Sequence, residues 1–499
     1  MLLGIDIGTS STKAVLVTSE GEVIDSAVRT HSVSMPQPGW FEQDADEIWW
    51  ADFKALSNKL LRDRNPSSLA GICISGLGPC LLVADEAGVP LRPAILYGVD
   101  TRSTEEIKEL NERYGEDAIL ARCGSPLTTQ AVGPKILWVQ RHEPSTWSRV
   151  RRFFMANSYI VWRLTGEYVL DHSSASQCDP LYDIERTTWA EDWAEEVGKH
   201  LEYPALLWPQ EIAGTVLDSV SQETGIPSGT PVAVGTIDAW SEALGAGVRN
   251  IGDAMVMYGT TMFFVDVVDR PYRDRHLWNT VGTFPGTWTL AGGMATSGAI
   301  ISWFEELTAT DINELLQEAS AVPPGSDGLL VLPYFSGERT PLFDPEARGV
   351  IAGLTLGHSR GALTRALLEG TAYGVRNNLE AFTNAGAKIS RLVAVGGGTS
   401  GDLWPQIVSD VTGQMQHLPT VGIGAAYGDA YLAGLATEKF DLSTDWTRIS
   451  KTIMPDTSTT RRYDQLFSLY KLLYAVTVDV NHTLAEIGRE IGRDSTPSF

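Results

Sequence analysis

Cysteine is scarce in this chain of 499 residues: Cys73, Cys80, Cys123 and Cys178 are the whole complement, far apart and without a C-x-x-C pair. That spacing gives no disulfide framework, and four free, buried thiols are expected instead. Long apolar runs are missing too. No window stays apolar over the ~18 residues that a membrane helix needs, which argues against a membrane protein. Positive charge is in deficit, with 38 Lys and Arg against 62 Asp and Glu and a formal charge of −24. Such a balance repels a phosphate backbone and argues against a nucleic-acid partner, while local basic groups can still grip a small phosphate ligand. The first residues lack the basic stretch and small-residue cleavage site of a secretion signal, so a cytoplasmic protein is expected.

What is present is the composition of a globular enzyme, 43% apolar and 20% charged, over a length that suggests two domains. Strand-like runs alternate with longer helical patterns, the mark of an α/β protein. Residues 2–7, 12–18 and 23–29 read as a β-meander, 46–61 as a helix, 70–75 and 81–85 as strands. From 104 to about 152 the pattern is mostly helical, and 232–235 returns as a short strand. The stretch DAMVMYGTTMFFVDVV, residues 253–268, repeats the opening plan of strand, hydroxyl-rich glycine turn and strand, which suggests a duplicated fold with a boundary near Gly247. Leu466, Leu469, Leu472, Leu473 and Val476 recur at helical spacing and predict a long amphipathic helix over 459–491.

The opening run MLLGIDIGTSSTKAVL sets an aspartate inside an apolar strand and turns on Gly-Thr-Ser-Ser. A turn of Gly and Ser/Thr offers amides and hydroxyls to an anion, and Gly8 has no Cβ to block its approach. Asp6 would repel a phosphate, so its natural partner is Mg²⁺ held largely through water, with Lys13 adding positive charge beyond the turn. The alternative is an ordinary glycine turn beside a satisfied carboxylate; the second hairpin, Gly259-Thr260-Thr261, weakens it. Asp238 closes a strand and opens an Ala/Gly-rich helix, which suits either a helix N-cap or a base that takes the proton of an attacking hydroxyl. In LVAVGGGTSGD, residues 392–402, a strand ends on three glycines. The turn would either seat a ribose or flat ring, or simply make a tight crossover, and it does not fit the G-x-G-x-x-G dinucleotide pattern. Glu338 and Arg339 are expected to form an internal salt bridge.

IDIGTSSTK, the Gly-Thr-Thr hairpin, YFSGERTPLFDPEARGVIAGLT and VGGGTSGDLWPQIVSDVTG together resemble the FGGY carbohydrate kinases. The segments PGWFEQDADEIWW, RPAILYGVDTRS and PKILWVQRHEP are most similar to the xylulokinase branch. The resemblance implies two ribonuclease-H-like α/β domains with a cleft between them, over 1–247 and 248–437, and a helical extension over 438–499. It implies sugar binding mostly on the first domain and ATP mostly on the second. Carried across residue by residue, Asp6 is the Mg²⁺-associated aspartate, and Gly8, Thr9, Ser10 and Lys13 form the first phosphate loop. Gly259, Thr260 and Thr261 form the second, Gly298 and Ser302 line the nucleotide, and Gly397, Gly398 and Asp402 meet the adenosine. Asp238 becomes the catalytic base. The implied reaction is phosphoryl transfer from ATP to a small ketose such as D-xylulose, with a homodimer as the assembly common among relatives.

This chain departs from that branch in one pocket segment. Where xylulokinases carry Met-His-Gly, it reads ISGLGPCLL, which sets Gly78 and Pro79 at the sugar-contact positions and removes a hydrogen-bonding histidine. Asp100 and Arg102 read equally as sugar-side residues or as an exposed ion pair, Gln130 as a further sugar contact, and Trp40 as a stacking platform or as core. A chaperone or actin-like ATPase would share the two hairpins without GERTP or PGWFEQD. A non-catalytic sugar sensor would be expected to lose Asp6 or Asp238, and both are present.

Overall fold

The computed structural model describes residues 1–420 and 422–491. The chain folds into two compact units that do not correspond to single cuts in the sequence. The first comprises residues 1–251, 267–289 and 423–447, and the second 252–266, 290–422 and 448–499. The expected contiguous segments 1–247, 248–437 and 438–499 differ from this division, in which residues 267–289 and 423–447 group with the first unit. The last eight residues of the expected extension, 492–499, lie outside the described residues.

The first unit is built on a mixed sheet. Strands β1 (Leu2–Ile7), β2 (Ser11–Val17), β3 (Val23–Thr30), β4 (Gly71–Gly76), β5 (Ile212–Thr215) and β6 (Pro231–Ala233) lie in the order β5-β6-β4-β1-β2-β3. The expected meander is there: β1, β2 and β3 pair antiparallel, while β4 adds parallel to β1. Every residue of β1 and β4 is buried, as befits strands inside a sheet. The predicted helix at 46–61 begins as a π-helical turn, Ala45–Trp50, whose N-cap Asp44 accepts the amides of Asp46 and Glu47. It continues as α1 (Ala51–Leu61). Of the helical region after residue 104, α2 (Val132–His142) matters most below. Helix α3 (Asp238–Gly245) and helix α7 (Ala425–Ala436) complete the part of the unit that carries its carboxylates.

The second unit repeats the plan. Strand β7 (Asp253–Tyr258) pairs antiparallel with β8 (Met262–Val268) and parallel with β10 (Arg391–Val395). With β9 (Trp288–Met294), β11 (Gln416–Pro419) and β12 (Ile449–Ile453), six strands of a seven-stranded sheet run in the order β9-β8-β7-β10-β11-β12, and the strand Trp278–Val281 lies outside β9. The repeated strand–turn–strand signal at 253–268 thus marks the same local topology, a hairpin whose first strand is flanked by a later parallel strand. Helices α4 (Gly298–Thr308), α5 (Arg360–Ala385) and α6 (Leu403–Thr412) pack in this unit, and the predicted amphipathic helix appears as α8 (Thr460–Glu490). All four cysteines are free and buried. Among the described residues, no helix is long and apolar enough to cross a membrane.

Candidate active site

Strand register brings the first unit's charged groups together. Asp6 pairs with Lys13 across the β1–β2 hairpin and with Ser75 across the parallel β1–β4 pair, so three neighbouring strands present these side chains side by side. Gly4 stands two residues before Asp6 on the same sheet face. A Cβ there would lie 1.9 Å from the Ala426 carbonyl oxygen, so glycine is what lets α7 come into backbone contact with β1. Gly428 does the same between helices, because its Cβ would fall 1.8 Å from the Ser241 carbonyl on α3. These approaches put Asp429 of α7 within hydrogen-bond reach of both elements. Its carboxylate accepts from Ser75 Oγ at 2.7 Å and from Ser241 Oγ at 2.6 Å, and Ser75 also lies 3.5 Å from Asp6.

Asp238 is the first residue of α3 rather than its N-cap, which is Ile237. Its Oδ1 accepts the Ala239 amide at 2.8 Å, so the carboxylate also sits on the positive end of the helix. One turn on, Glu242 joins the cluster beside Gly424, where a Cβ would stand 2.9 Å from Glu242 Oε2 and 3.9 Å from Lys13 Nζ. Asp6 and Asp429 are buried, whereas Asp238, Glu242 and Lys13 are half-buried, leaving an accessible edge.

Crowding four carboxylates around one lysine raises their proton affinities. Burial pushes Asp6 up to about 6 against the attraction of Lys13, and pushes Glu242 to about 7 with help from the negative charge of Asp6. Asp238 is held well above the ordinary carboxylate range by burial first and by Asp6 second. Asp429 is raised in the same way, chiefly by burial, although its serine hydrogen bonds oppose the shift. A half-buried carboxylate with a raised proton affinity is suited to accept a proton from a hydroxyl. The donor set also suits a hard divalent cation, since oxygen ligands outnumber the nearby ammonium. Among the described residues, no three His, Cys, Asp or Glu side chains converge into a group that could hold a metal ion by themselves.

The first hairpin is held from behind. His31 bridges the Gly8 carbonyl oxygen at 3.0 Å and Asp52 Oδ2 at 2.8 Å, and Asp52 also accepts from Thr12 and pairs with Arg29. Thr9 contacts the Tyr97 hydroxyl at 3.0 Å and its carbonyl accepts from Gln43 at 2.7 Å. Thr9 is half-buried and Ser10 exposed, leaving the turn open to solvent.

The expected sugar-side residues fall into two groups. Asp100 and Arg102 are not an exposed ion pair: both side chains are 0% exposed, joined by Arg102 Nη2 to Asp100 Oδ2 at 2.7 Å. Arg102 Nη1 reaches Glu42 at 2.6 Å, its guanidinium lies 4.4 Å from the Trp40 ring centroid, and Phe41 donates its amide to Asp100. Every group in this knot has a protein partner, so it orients Trp40, which is half-buried and packed edge-on against Trp138. Gln130, in contrast, is half-buried and accepts the Gly98 amide at 3.0 Å. Its loop is pinned by the fully buried Lys135, which donates to the carbonyls of Thr129 at 2.5 Å and Ala131 at 3.1 Å. Burial lowers this ammonium to about 8. Gly78 is half-buried and Pro79 buried, neither offering a side-chain donor. Burial drives the neighbouring Cys80 thiol up to about 12.

In the second unit, the Gly259-Thr260-Thr261 turn receives the start of α4. The amides of Ser297, Gly298 and Ala299 donate to the carbonyls of Thr260, Gly259 and Thr260, and a Cβ on Gly298 would lie 2.7 Å from Gly259 O. Ser302 is exposed on α4. Gly396 leaves β10 at φ +94°, where a Cβ would meet the Tyr258 carbonyl oxygen at 2.5 Å, and Gly398 packs on Trp404. Gly397 has open space above it, the one glycine of the three with room for a ligand. Asp402 is an exposed carboxylate held by Lys451 at 2.5 Å. Glu338 makes its bonds to backbone amides, those of Ala295 and Arg339 at 2.8 and 2.7 Å, rather than the expected salt bridge with Arg339.

Sequence reasoning missed Ser75, Ser241, Glu242 and Asp429. For two of them a local signal existed: Glu242 lies one turn after Asp238, and Asp429 is a lone charge in the Ala/Gly-rich GAAYGDAYLAG.

The family models for the FGGY family of carbohydrate kinases match residues 1–245 with the N-terminal domain and 254–437 with the C-terminal domain. A xylulose kinase from Escherichia coli is 31% identical over 87% of this chain and 90% of that protein. The gluconokinase of Bacillus subtilis is 28% identical over 88% of each. The crystal structure of xylulose kinase from Rhodospirillum rubrum superposes with a TM-score of 0.90, at 31% identity over 96% of this chain and 99% of that one. Two units with repeated hairpin topology, and matches that cover both of them, lead to one conclusion: the chain belongs to the FGGY family of carbohydrate kinases.

Proposed function

We propose that this carbohydrate kinase transfers the γ-phosphoryl group of ATP to a hydroxyl of a small ketose of the D-xylulose type, with Asp238 as general base. The observation that carries the reading is the carboxylate cluster itself, with a half-buried Asp238 on its accessible edge and its proton affinity raised by burial and by Asp6. In this mechanism the Asp238 carboxylate takes the proton from the attacking hydroxyl, while the Ala239 amide and the helix end hold its orientation. Lys13 faces the transferring charge, and the Gly8 turn, braced by His31, supplies close backbone approach. Asp6, with Asp238 and Glu242 near it, would hold Mg²⁺, which supplies neutralisation of phosphate charge when bound. Gly259, Thr260, Thr261, Gly298 and Ser302 would serve the nucleotide's phosphate and ribose side. Gly397, Gly398 and Asp402 would serve the adenosine.

On the sugar side, Trp40 and Gln130 are the half-buried groups available to a substrate, and Asp100 with Arg102 orient the first of them. A second reading of substrate choice rests on Gly78 and Pro79. Neither offers a side-chain donor where a histidine would read a hydroxyl, so a deoxyketose or another ketose should compete well, because no buried polar group is left unpaired by the missing hydroxyl. The test is kcat/KM for D-xylulose, D-ribulose, L-ribulose, 1-deoxy-D-xylulose and gluconate under one Mg–ATP condition. Turnover of D-xylulose with another ketose within a hundredfold of it supports both readings. A thousandfold preference for D-xylulose over every alternative refutes the second, and gluconate as the sole substrate refutes the first.

A further inference from the structure

Tyr97 stands between two parts of the first unit that the proposed reaction uses separately. Its hydroxyl lies 3.0 Å from Thr9 Oγ1, in the first phosphate turn, and both residues are half-buried. Thr9 is held a second time, because its carbonyl oxygen accepts from Gln43 Nε2 and Gln43 is fixed in turn by the Trp49 indole N–H at 2.8 Å. The core does not need the Tyr97–Thr9 bond, since the β1–β2 register sets the hairpin without it.

The residue after Tyr97 belongs to the sugar side. Both backbone groups of Gly98 are taken by the loop that carries Gln130: its amide donates to Gln130 Oε1 at 3.0 Å and its carbonyl oxygen accepts from Thr129 Oγ1 at 2.8 Å. Glycine is needed there, because a Cβ would lie 2.8 Å from Gln130 Cδ. An N–H can only donate, so Gln130 turns its oxygen to Gly98 and keeps its NH2 for a ligand. The loop is fixed from its other side by the buried Lys135 ammonium, which donates to the carbonyls of Thr129 and Ala131. A shift of Gln130 by a bound sugar therefore passes through one peptide to Tyr97, and through one hydrogen bond to Thr9.

We propose that Tyr97 is a positioning residue that couples the sugar loop to the first phosphate turn, so that the turn takes its productive arrangement when a sugar occupies the loop. This rests on the reading above, in which Thr9 serves phosphate and Gln130 the sugar. The consequence is selectivity against water, because a turn that engages the γ-phosphate independently of the sugar leaves ATP open to hydrolysis. Such a coupling is reciprocal and is read as the factor by which saturating sugar tightens nucleotide binding, ordinarily ~5–150-fold.

The variant that tests it is Tyr97→Phe, which keeps the ring and loses only the hydroxyl. Calorimetric titration with the best substrate of the panel above and the Mg²⁺ complex of the β,γ-imido analogue of ATP gives the coupling factor, which should fall toward one. Sugar affinity without nucleotide and Tm should match the parent's. Turnover should drop by roughly three- to tenfold, the worth of one hydrogen bond, while the share of ATP split without sugar phosphate rises. A coupling factor equal to the parent's overturns the proposal, as does a parent in which sugar leaves nucleotide affinity unchanged.

A double-mutant cycle with Thr9→Val assigns the effect to the bond itself. Once Thr9 has lost its hydroxyl, Tyr97→Phe should change kcat and the hydrolysed share little further. An additive cycle, in which Tyr97→Phe costs as much on either background, overturns the coupling alone. Thr9→Val that leaves kcat and KM for ATP at parent values overturns the coupling together with the phosphate role of the turn.

Discussion

Replacing Asp238 by Asn isolates proton acceptance from everything else this side chain does. Asparagine has the same shape, and its Oδ1 can keep the 2.8 Å bond from the Ala239 amide, so the start of α3 should be undisturbed. What disappears is a carboxylate held well above its usual range by burial and by the charge of Asp6. Removing that charge also relieves repulsion felt by Glu242 and Asp6, so Tm should be equal to or higher than the parent's. Loss of a positioned general base costs ~10²–10⁴-fold in rate. A raised proton affinity lies closer to that of the hydroxyl it serves, which places the expected loss in kcat near 10³-fold, about 4 kcal/mol of barrier. The parent's acid limb, along which turnover falls as Asp238 gains its proton, should vanish in the variant. The assay is ADP release with a ketose and Mg–ATP across pH 5 to 9, alongside calorimetry and sugar binding by titration. A kcat within tenfold of the parent, or a loss that tracks a fall in Tm or in sugar affinity, would refute the assignment.

Asp6→Asn should raise the Mg²⁺ concentration for half-maximal activity by roughly tenfold or more, with β1 intact because its apolar neighbours remain, and an unchanged Mg²⁺ titration would make Asp6 structural. Gly298→Ala should raise KM for ATP and lower stability by ~1–3 kcal/mol, since the new methyl falls 2.7 Å from the Gly259 carbonyl oxygen; unaltered melting and KM would show that the turn yields freely. Glu338 bears on pH and stability. Burial raises its folded value to about 8, and both amides it accepts go to one oxygen, leaving the other free to carry a proton. Because the folded state binds this proton more tightly than the unfolded chain, its contribution is complete below about pH 4.5 and is lost as pH rises through about 8. Glu338→Gln should therefore remove part of the decline in stability between those limits, and identical urea midpoints for parent and variant at pH 5 and pH 8 would contradict this.

Much of this molecule is local, and local features are legible in a sequence. The hairpin of β1 and β2 follows from two apolar runs around a glycine turn, and its register fixes Asp6 opposite Lys13 with no help from the rest of the chain. The echo at Gly259 is legible for the same reason, as is the periodicity of α8, whose apolar positions span more than one face. What no local pattern carries is the meeting of distant segments at backbone contact. Ser75 reaches Asp6 through a parallel pairing across some seventy residues, and Asp429 arrives from more than four hundred residues away because Gly4 and Gly428 leave no Cβ in its path. The same limit hid the true state of Asp100 and Arg102, whose spacing suits a surface pair as well as a buried one. Only the packing of Glu42 and Trp40 around them removes the water and makes the pair a knot. Side-chain chemistry could be listed from the sequence, but burial and approach depend on the entire fold, and they decide which carboxylate keeps a proton, which is neutralised, and which merely holds two strands together.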